Sequence, residues 1–481
     1  MQITKKQFAV NSIWLILQNF SNKGISMIVS IVLARLLLPS DFGLIALTSV
    51  FIEISYMLIQ GGFGTALIRK EKVDEFDYSA VFAVSSTISL ILYLVLFLSA
   101  PFIAEYYAEP QITAVLRVLG LMLFAQAFSS VRDGIINRNM QFKLLFYCQI
   151  SASLFSAILG IVAAILGYGV WALVIQRLSH TFVFTIILFR VVKWKISWKF
   201  SYDRIKEMLS FSAGVVGASL LNYLNGSLYS LVIGKRYSVT DLGYYNKGEQ
   251  LPRQFSLYTF GAMSGVLLPT ISSSQSDIER VKHIIRKIII MTSFIIIPLM
   301  VGFTLSAEEV ICILLTAKWL PAADIVPGMC LCYLATPYML VNVQVFYAFG
   351  HSELRVKSEI VRLILLGTGL LVFSFTLHCS ISQLAYVCGI VSVVIAIITY
   401  CDMQKIIGYS ISEVFADMIK PIICTSVMAV AIIVISKTIG HVGYVPSLAI
   451  KTGVGITIYA ISSIVCKSEG ILEIVSLIHK K

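Results

Sequence analysis

Polar residues interrupt runs that are otherwise apolar. Asn19, Asn22, Lys23 and Ser26 recur at helical spacing and make one polar stripe. Glu53 is the main charge of the next apolar run, and Arg177 and His180, three apart beside Gln176, share a face of a later one. Asn222, Asn225 and Ser227 form a second amide stripe, followed by Asn246, Lys247, Glu249, Gln250, Arg253 and Gln254; Asn342 and Gln344 lie further on. A charge within an apolar helix is costly, so such residues face a bundle interior or water and mark a paired site or a pathway. Cations neutralise phosphate, and amides hydrogen-bond hydroxyl groups. Asn19, Asn22, Lys23, Glu53, Arg177, His180, Asn222, Asn225, Lys247, Glu249, Arg253 and Gln254 therefore read as the lining of a cavity for an anionic, hydroxyl-rich ligand.

Plainer readings stand beside this one. Lys23 can be a structural lysine paired with a nearby carboxylate, and Glu53 can be that carboxylate. Part of the polarity at 246–254 can sit above the membrane. The nine cysteines include no CxxC pair, and Cys330 and Cys332 are spaced for neither a disulfide framework nor a zinc site, so all nine read as small buried hydrophobes. No glycine-rich nucleotide loop occurs, which argues against direct use of ATP, and no cofactor is expected.

The elements that must carry these residues are membrane helices. Of 481 residues, 58% are hydrophobic and only 13% charged, about half the charge of a soluble chain. Apolar runs of spanning length recur, at roughly 11–34, 42–66, 78–104, 112–131, 144–166, 170–190, 209–234, 248–269, 287–306, 323–349, 360–378, 382–402, 419–437 and 445–466. The expectation is an all-α membrane protein of about fourteen transmembrane helices. The fourth run is interrupted by Gln126, and the eighth begins with polar residues. The run after Lys5 and Lys6 lacks a small-residue cleavage site and reads as the first spanning helix rather than a signal. Pro252, Pro269, Pro298 and Pro337 predict kinks in the second half.

The net charge of +12 fits basic loops held at the cytoplasmic face better than a nucleic-acid partner. Lys and Arg favour one set of loops by roughly threefold, which predicts both termini in the cytoplasm. The 190–208 loop alternates Trp and Lys as headgroup-zone segments do. Ile471, Ile474, Val475 and Ile478 give the C-terminal tail an apolar face suited to lying on the membrane.

Residues 20–43 return two hundred positions later as 220–243, with Asn22, Ser30, Val32, Asp41 and Gly43 identical to Asn222, Ser230, Val232, Asp241 and Gly243. In so apolar a chain this predicts two half-bundles facing each other, with the ligand site between them, as in transporters built from repeats. Each copy ends in a [Ser/Thr]-Asp-x-Gly turn. Ser40 or Asp41, and Thr240 or Asp241, are expected to cap the following helix, while Gly43 and Gly243 allow close packing. The offset places Arg253 at the position of Glu53, which suggests that the two pair in one conformational state.

The run LARLLLPSDFGLIALTSVFIEISYMLIQGGFGTALIRK (33–70) resembles the N-terminal signature of the polysaccharide-export, or flippase, family. GYYNKGEQLPRQ (243–254) resembles that family's second-half motif. The family belongs to the multidrug/oligosaccharidyl-lipid/polysaccharide transporter superfamily, and the likeness is to colanic-acid and O-antigen exporters. It implies two pseudo-two-fold-related six-helix lobes and two further helices: residues 1–190, a linker at 191–208, 209–403, and 404–481 with the amphipathic tail. It further implies a polyprenyl-pyrophosphate-linked oligosaccharide as substrate, turned across the inner membrane by alternating access for surface polysaccharide assembly, alongside other polysaccharide-assembly membrane proteins. In related lipid-pyrophosphate flippases, cations on the first, second and eighth helices face the cavity. Lys23 and Arg253 match that placement, whereas Glu53 departs from it on the second helix.

Other functions fit less well. A multidrug or cation antiporter of the same superfamily would favour intramembrane carboxylates over cations. A membrane-bound polymerase would carry a large outside loop, and a glycosyltransferase a sugar-nucleotide domain; neither is present. The expectation is a non-enzymatic transporter, with Glu53, Glu249 or His180 available for coupling to protons or sodium.

Overall fold

The computed structural model describes residues 5–61, 70, 73–194, 202–439 and 443–471, and among them there is no β-strand. The tail residues Ile474, Val475 and Ile478, most of the tryptophan–lysine loop and the side chain of Asn19 lie outside the described part.

The helices are α1 (Lys5–Leu36), α2 (Pro39–Gln60), α3 (Glu75–Tyr107), α4 (Gln111–Leu119), α5 (Met122–Arg138), α6 (Phe142–Ile165), α7 (Val170–Val191), α8 (Tyr202–Arg236), α9 (Val239–Ser272), α10 (Ile278–Leu305), α11 (Ala307–Leu315), α12 (Val326–Ala348), α13 (Ser352–Leu371), α14 (Ile381–Ile407), α15 (Ile411–Ile439) and α16 (Tyr444–Val465). Among the described residues every expected segment falls on a helix, the second being described only to Gly61. The fourth falls on two, but the break is at Gly120 and Leu121 rather than at Gln126. Gly120 and Leu121 keep helical dihedrals, and a Cβ on Gly120 would come 3.0 Å from the ring of Tyr93, a tight contact.

Among the described residues, eleven spans are long and apolar enough to cross a membrane, with α4 and α5 together forming one. The chain is a multi-pass membrane protein. Three further helices, α1, α8 and α9, have 32, 35 and 34 residues. They are the helices that carry Lys23, Asn222 and the 246–254 group. Pro252, Pro269, Pro298 and Pro337 all lie inside helices.

Contacts divide the chain into two compact units, Met1–Gly243 and Tyr244–Lys481. In the first, α6 and α7 form a hairpin, α1 packs on α6, and α3 packs on α4 and α5. Lipid gives apolar side chains no incentive to leave it, so association depends on close packing. Gly160 shows this: a Cβ there would lie 2.8 Å from the Cβ of Gln176. α8 also packs on α2 and α3. It can do so because Gly234 brings its backbone onto Leu47 and Tyr107. Arg132, 1% exposed, is held by aromatic faces, 4.1 Å from the ring of Phe189 and 5.4 Å from that of Trp194. It donates to the carbonyls of Phe128 and Trp194.

The two aspartate turns are structural, as expected, but work differently. α2 and α9 begin at Pro39 and Val239, so each aspartate is the third helical residue and reaches backwards. Asp41 Oδ2 accepts the Leu38 N–H at 2.9 Å. Asp241 Oδ2 accepts the Ser238 N–H at 3.2 Å while Ser238 Oγ accepts the Asp241 N–H at 3.1 Å, a reciprocal capping box. Ser40 and Thr240 lie within the first turn rather than at the cap.

In the second unit α12 and α14 make the largest interface. Gly328 and Gly389 bring their backbones together: a Cβ on Gly328 would meet the Ala385 carbonyl carbon at 2.5 Å. Leu267, Ile285, Val341, Phe346 and Met403 form the core below it. Ion pairs fasten the outer helices, Arg286 to Asp417 (2.7 Å) between α10 and α15, and Lys451 to Glu309 (2.5 Å) between α16 and α11.

Candidate functional site

Four of the candidate residues are drawn into two clusters, Glu53 and Arg177 in the first unit and Glu249 and Arg253 in the second. In the first, Ser49, Glu53, Tyr56 and Gln60 follow one another at helical spacing on α2. Arg177 of α7 donates from Nη1 to Ser49 Oγ at 2.5 Å, and its charge acts on Glu53. Tyr223 of α8 donates to the Ser49 carbonyl at 3.4 Å. Gln60 Nε2 donates to Tyr56 OH at 3.0 Å, and Tyr56 also hydrogen-bonds Gln126 of α5. Asp133 lies near enough to act on Tyr56 electrostatically. The result is a cation, two carboxylates, two phenols and two amides drawn from four helices of one bundle. Such a surface can hold a phosphate at Arg177 and sugar hydroxyls at its phenols and amides.

His180, one turn from Arg177, stacks parallel on Phe184 at 6.4 Å. Asn22 is committed to packing: its Nδ2 donates to Gln149 Oε1 at 3.1 Å, and its Oδ1 accepts from Ser153 Oγ at 3.0 Å, joining α1 to α6. Lys23, on the next position round α1, is exposed. Asn222 is exposed and Asn225 is buried, 2% exposed.

In the second unit, Glu249 is the hub. Tyr333 of α12 donates to its Oε1 at 2.5 Å, and Arg253 lies 3.7 Å away on the same helix. Ser256 Oγ donates to the Tyr333 carbonyl at 2.7 Å, holding the tyrosine in place. The Arg253 side chain is 53% exposed, so a ligand can reach it. Gln254 Oε1 is buried with no hydrogen-bond partner among the described residues. Lys247 differs from the open cavity cation expected of it. It is 4% exposed, donates to Gln250 Oε1 at 3.1 Å, and its ammonium lies 6.0 Å from the centre of the Trp319 ring. Asn342 donates to Thr399 Oγ1 at 3.1 Å, joining α12 to α14.

Sequence reasoning missed Ser49, Tyr56, Gln60, Tyr223 and Tyr333. The spacing 49, 53, 56, 60 was a usable signal. Tyr223 was visible as the residue that replaces Lys23 in the second repeat. Tyr333 lies in an apolar run and gives no sign of its partner. Glu53 was expected to pair with Arg253 or Lys23; Arg177 is the cation the structure sets beside it.

Residues 32–324 match the model of a family described as polysaccharide biosynthesis protein. The chain is 26% identical over 321 residues to the succinoglycan biosynthesis transport protein ExoT of Rhizobium meliloti, covering 66% of this chain and 64% of that one. It is 22% identical over 395 residues to the teichuronic acid biosynthesis protein TuaB of Bacillus subtilis, 82% of this chain and 81% of that one. Its fold resembles that of the lipid II flippase MurJ in an inward closed conformation, with a TM-score of 0.76, 15% identity, and 93% and 97% of the two chains covered. An inward-facing multidrug resistance transporter of the MATE family, in the MOP superfamily, gives 0.64 at 16% identity, over 80% and 94% of the chains. The family match extends over more than half of the chain and includes both aspartate turns, the first polar cluster, and Glu249 and Arg253 of the second: this protein belongs to the polysaccharide biosynthesis protein family.

Proposed function

We propose that the protein is a flippase that carries a polyprenyl-pyrophosphate-linked oligosaccharide across the cytoplasmic (inner) membrane by alternating access, for assembly of a surface polysaccharide. The observation that carries this reading is the placement, in each unit, of an arginine near a carboxylate and a tyrosine on membrane helices: Arg177 within electrostatic reach of Glu53 and Tyr223, and Arg253 3.7 Å from Glu249, which accepts from Tyr333. Without ligand each arginine is balanced by its carboxylate. A diphosphate competes for the arginine, which frees the carboxylate and gives the site two states. The tyrosines and Gln254 then face sugar hydroxyls. The names of ExoT and TuaB, and the fold shared with a lipid II flippase, support the same substrate class.

In this reading Lys23 is a further phosphate contact, both termini are cytoplasmic, and the protein transports without catalysing a reaction. Glu53 and Glu249 are the groups available to couple transport to protons or sodium. A cation antiporter is the second reading, favoured by the MATE likeness and by the same carboxylates. Deletion of the gene followed by lipid extraction separates the two. The flippase reading requires one polyprenyl-linked oligosaccharide to accumulate, accessible from the cytoplasmic leaflet. Unchanged lipid pools with altered sensitivity to cationic drugs support the antiporter instead.

A further inference from the structure

We propose that Cys332 and Cys388 are a redox-sensitive dithiol that oxidises to an intramolecular disulfide, stapling α12 to α14. The Cys388 thiol donates to Cys332 Sγ at 3.4 Å, and Cys332 Sγ lies 3.1 Å from Ser392 Oγ. A disulfide bond is about 2.05 Å long, so the sulfurs need approach by less than about 1.5 Å. The partner comes from another helix, which spacing along the chain cannot show. Cys330, two residues away, hydrogen-bonds Thr304 instead.

The close approach is built into the backbone. Gly328 lies one turn before Cys332, and Gly389 directly follows Cys388. A Cβ on Gly389 would meet the Leu331 side chain at 2.8 Å and the Gly328 carbonyl oxygen at 2.9 Å, so the two backbones come close beside the sulfurs. The charge of Arg362 acts on both cysteines, and its Nε is buried without a hydrogen-bond partner. A cation beside a thiol favours the thiolate, which is the attacking form. Both cysteines lie about two turns inside the N-terminal ends of their helices. The Lys and Arg bias assigns those ends to the outer face, the side where disulfides persist.

The oxidant class is a lipid-soluble quinone, and because Cys332 and Cys388 are only 2% and 6% exposed it meets the thiols when α12 and α14 open locally. One thiolate adds to a ring carbon of the quinone; before the ring aromatises the second attacks that sulfur, and the C–S bond breaks with its electron pair passing to the ring oxygens. The S–S bond forms, and two electrons and two protons pass from the thiols to the quinone, which leaves as the quinol. Reduction by a dithiol reverses the balance. Tyr333, next to Cys332, is the residue that holds Glu249, so the staple forms directly beside the second polar cluster.

The test uses the full-length protein in native membranes, treated with the thiol oxidant diamide or a short-chain quinone, denatured in N-ethylmaleimide, digested without reduction and analysed by mass spectrometry. The expected product is one cross-linked peptide joining Cys332 to Cys388, two hydrogens lighter than the separate peptides. Dithiothreitol should remove it, and Cys332→Ala or Cys388→Ala should abolish it. Recovery of both cysteines as separately alkylated peptides after oxidation overturns the proposal, as does pairing of either with another cysteine. The wild-type peptide map decides the matter even if a variant fails to fold.

Discussion

Gly43 and Gly243 pack on each other's helix starts in a reciprocal way. A Cβ on Gly43 would lie 1.6 Å from the Val239 carbonyl oxygen, and one on Gly243 would lie 2.0 Å from the Pro39 carbonyl oxygen. Each contact maps onto the other by the same two-hundred-residue shift that relates the sequences. Any side chain at either position must displace backbone. Gly43→Ala and Gly243→Ala are each expected to destabilise the protein by at least the about 1–3 kcal/mol typical of overpacking, read as a lower melting temperature in detergent. Unchanged melting in both would show that this crossing does not hold the fold.

Arg177 is the charge that balances Glu53 within the first bundle. Arg177→Ala leaves that carboxylate without its cation and takes a hydrogen bond from Ser49. The single variant should lose both stability and transport. Adding Glu53→Gln should restore part of the stability, with a coupling of about 0.5–3 kcal/mol in a double-mutant cycle. Strict additivity would mean that the two residues act separately.

Arg253 and Lys23 should matter for transport more than for folding, because both are exposed. Arg253→Ala and Lys23→Ala should each reduce surface polysaccharide while membrane insertion and melting stay near wild type. Normal polysaccharide in both would remove cations from the account of the substrate site. Tyr333→Phe removes the hydroxyl that holds Glu249. It should weaken transport in the same assay, with a milder effect than Arg253→Ala.

Asp417 accepts three hydrogen bonds from Arg286, at 2.7, 2.9 and 3.1 Å, and one from the Tyr409 hydroxyl at 2.6 Å. The Arg286 side chain is 46% exposed, which screens the pair, while Asp417 is 5% exposed. Asp417→Ala should therefore cost about 1–2 kcal/mol through the lost charged hydrogen bonds, seen as earlier loosening of α15 from α10 in hydrogen exchange. Protection equal to wild type would count against this pair as the fastening.

The helices were legible because membrane helices must satisfy their own backbone, so an apolar run is already a structural statement. The aspartate turns were legible as caps, yet their direction was not: whether Asp41 caps forwards or backwards depends on where α2 starts, and Pro39 sets that. Polar residues were readable as costly, but not their partners. Asn22 ties α1 to α6 through Gln149 and Ser153, partners that the sequence did not name. Lys247 was placed in a cavity and is packed close to Trp319. Pairing between helices is fixed by three-dimensional neighbours such as Arg177 and Tyr333, and spacing along one helix cannot name them.

The most direct measurement is transport by the purified protein in liposomes. The lipid-linked oligosaccharide that accumulates in a deletion strain is placed in the outer leaflet of proteoliposomes, and its protection from an added glycan-cleaving enzyme is followed. The account predicts protein-dependent protection that is strongly reduced by Arg253→Ala and Arg177→Ala. Equal protection in protein-free liposomes, or full activity in both variants, would contradict it.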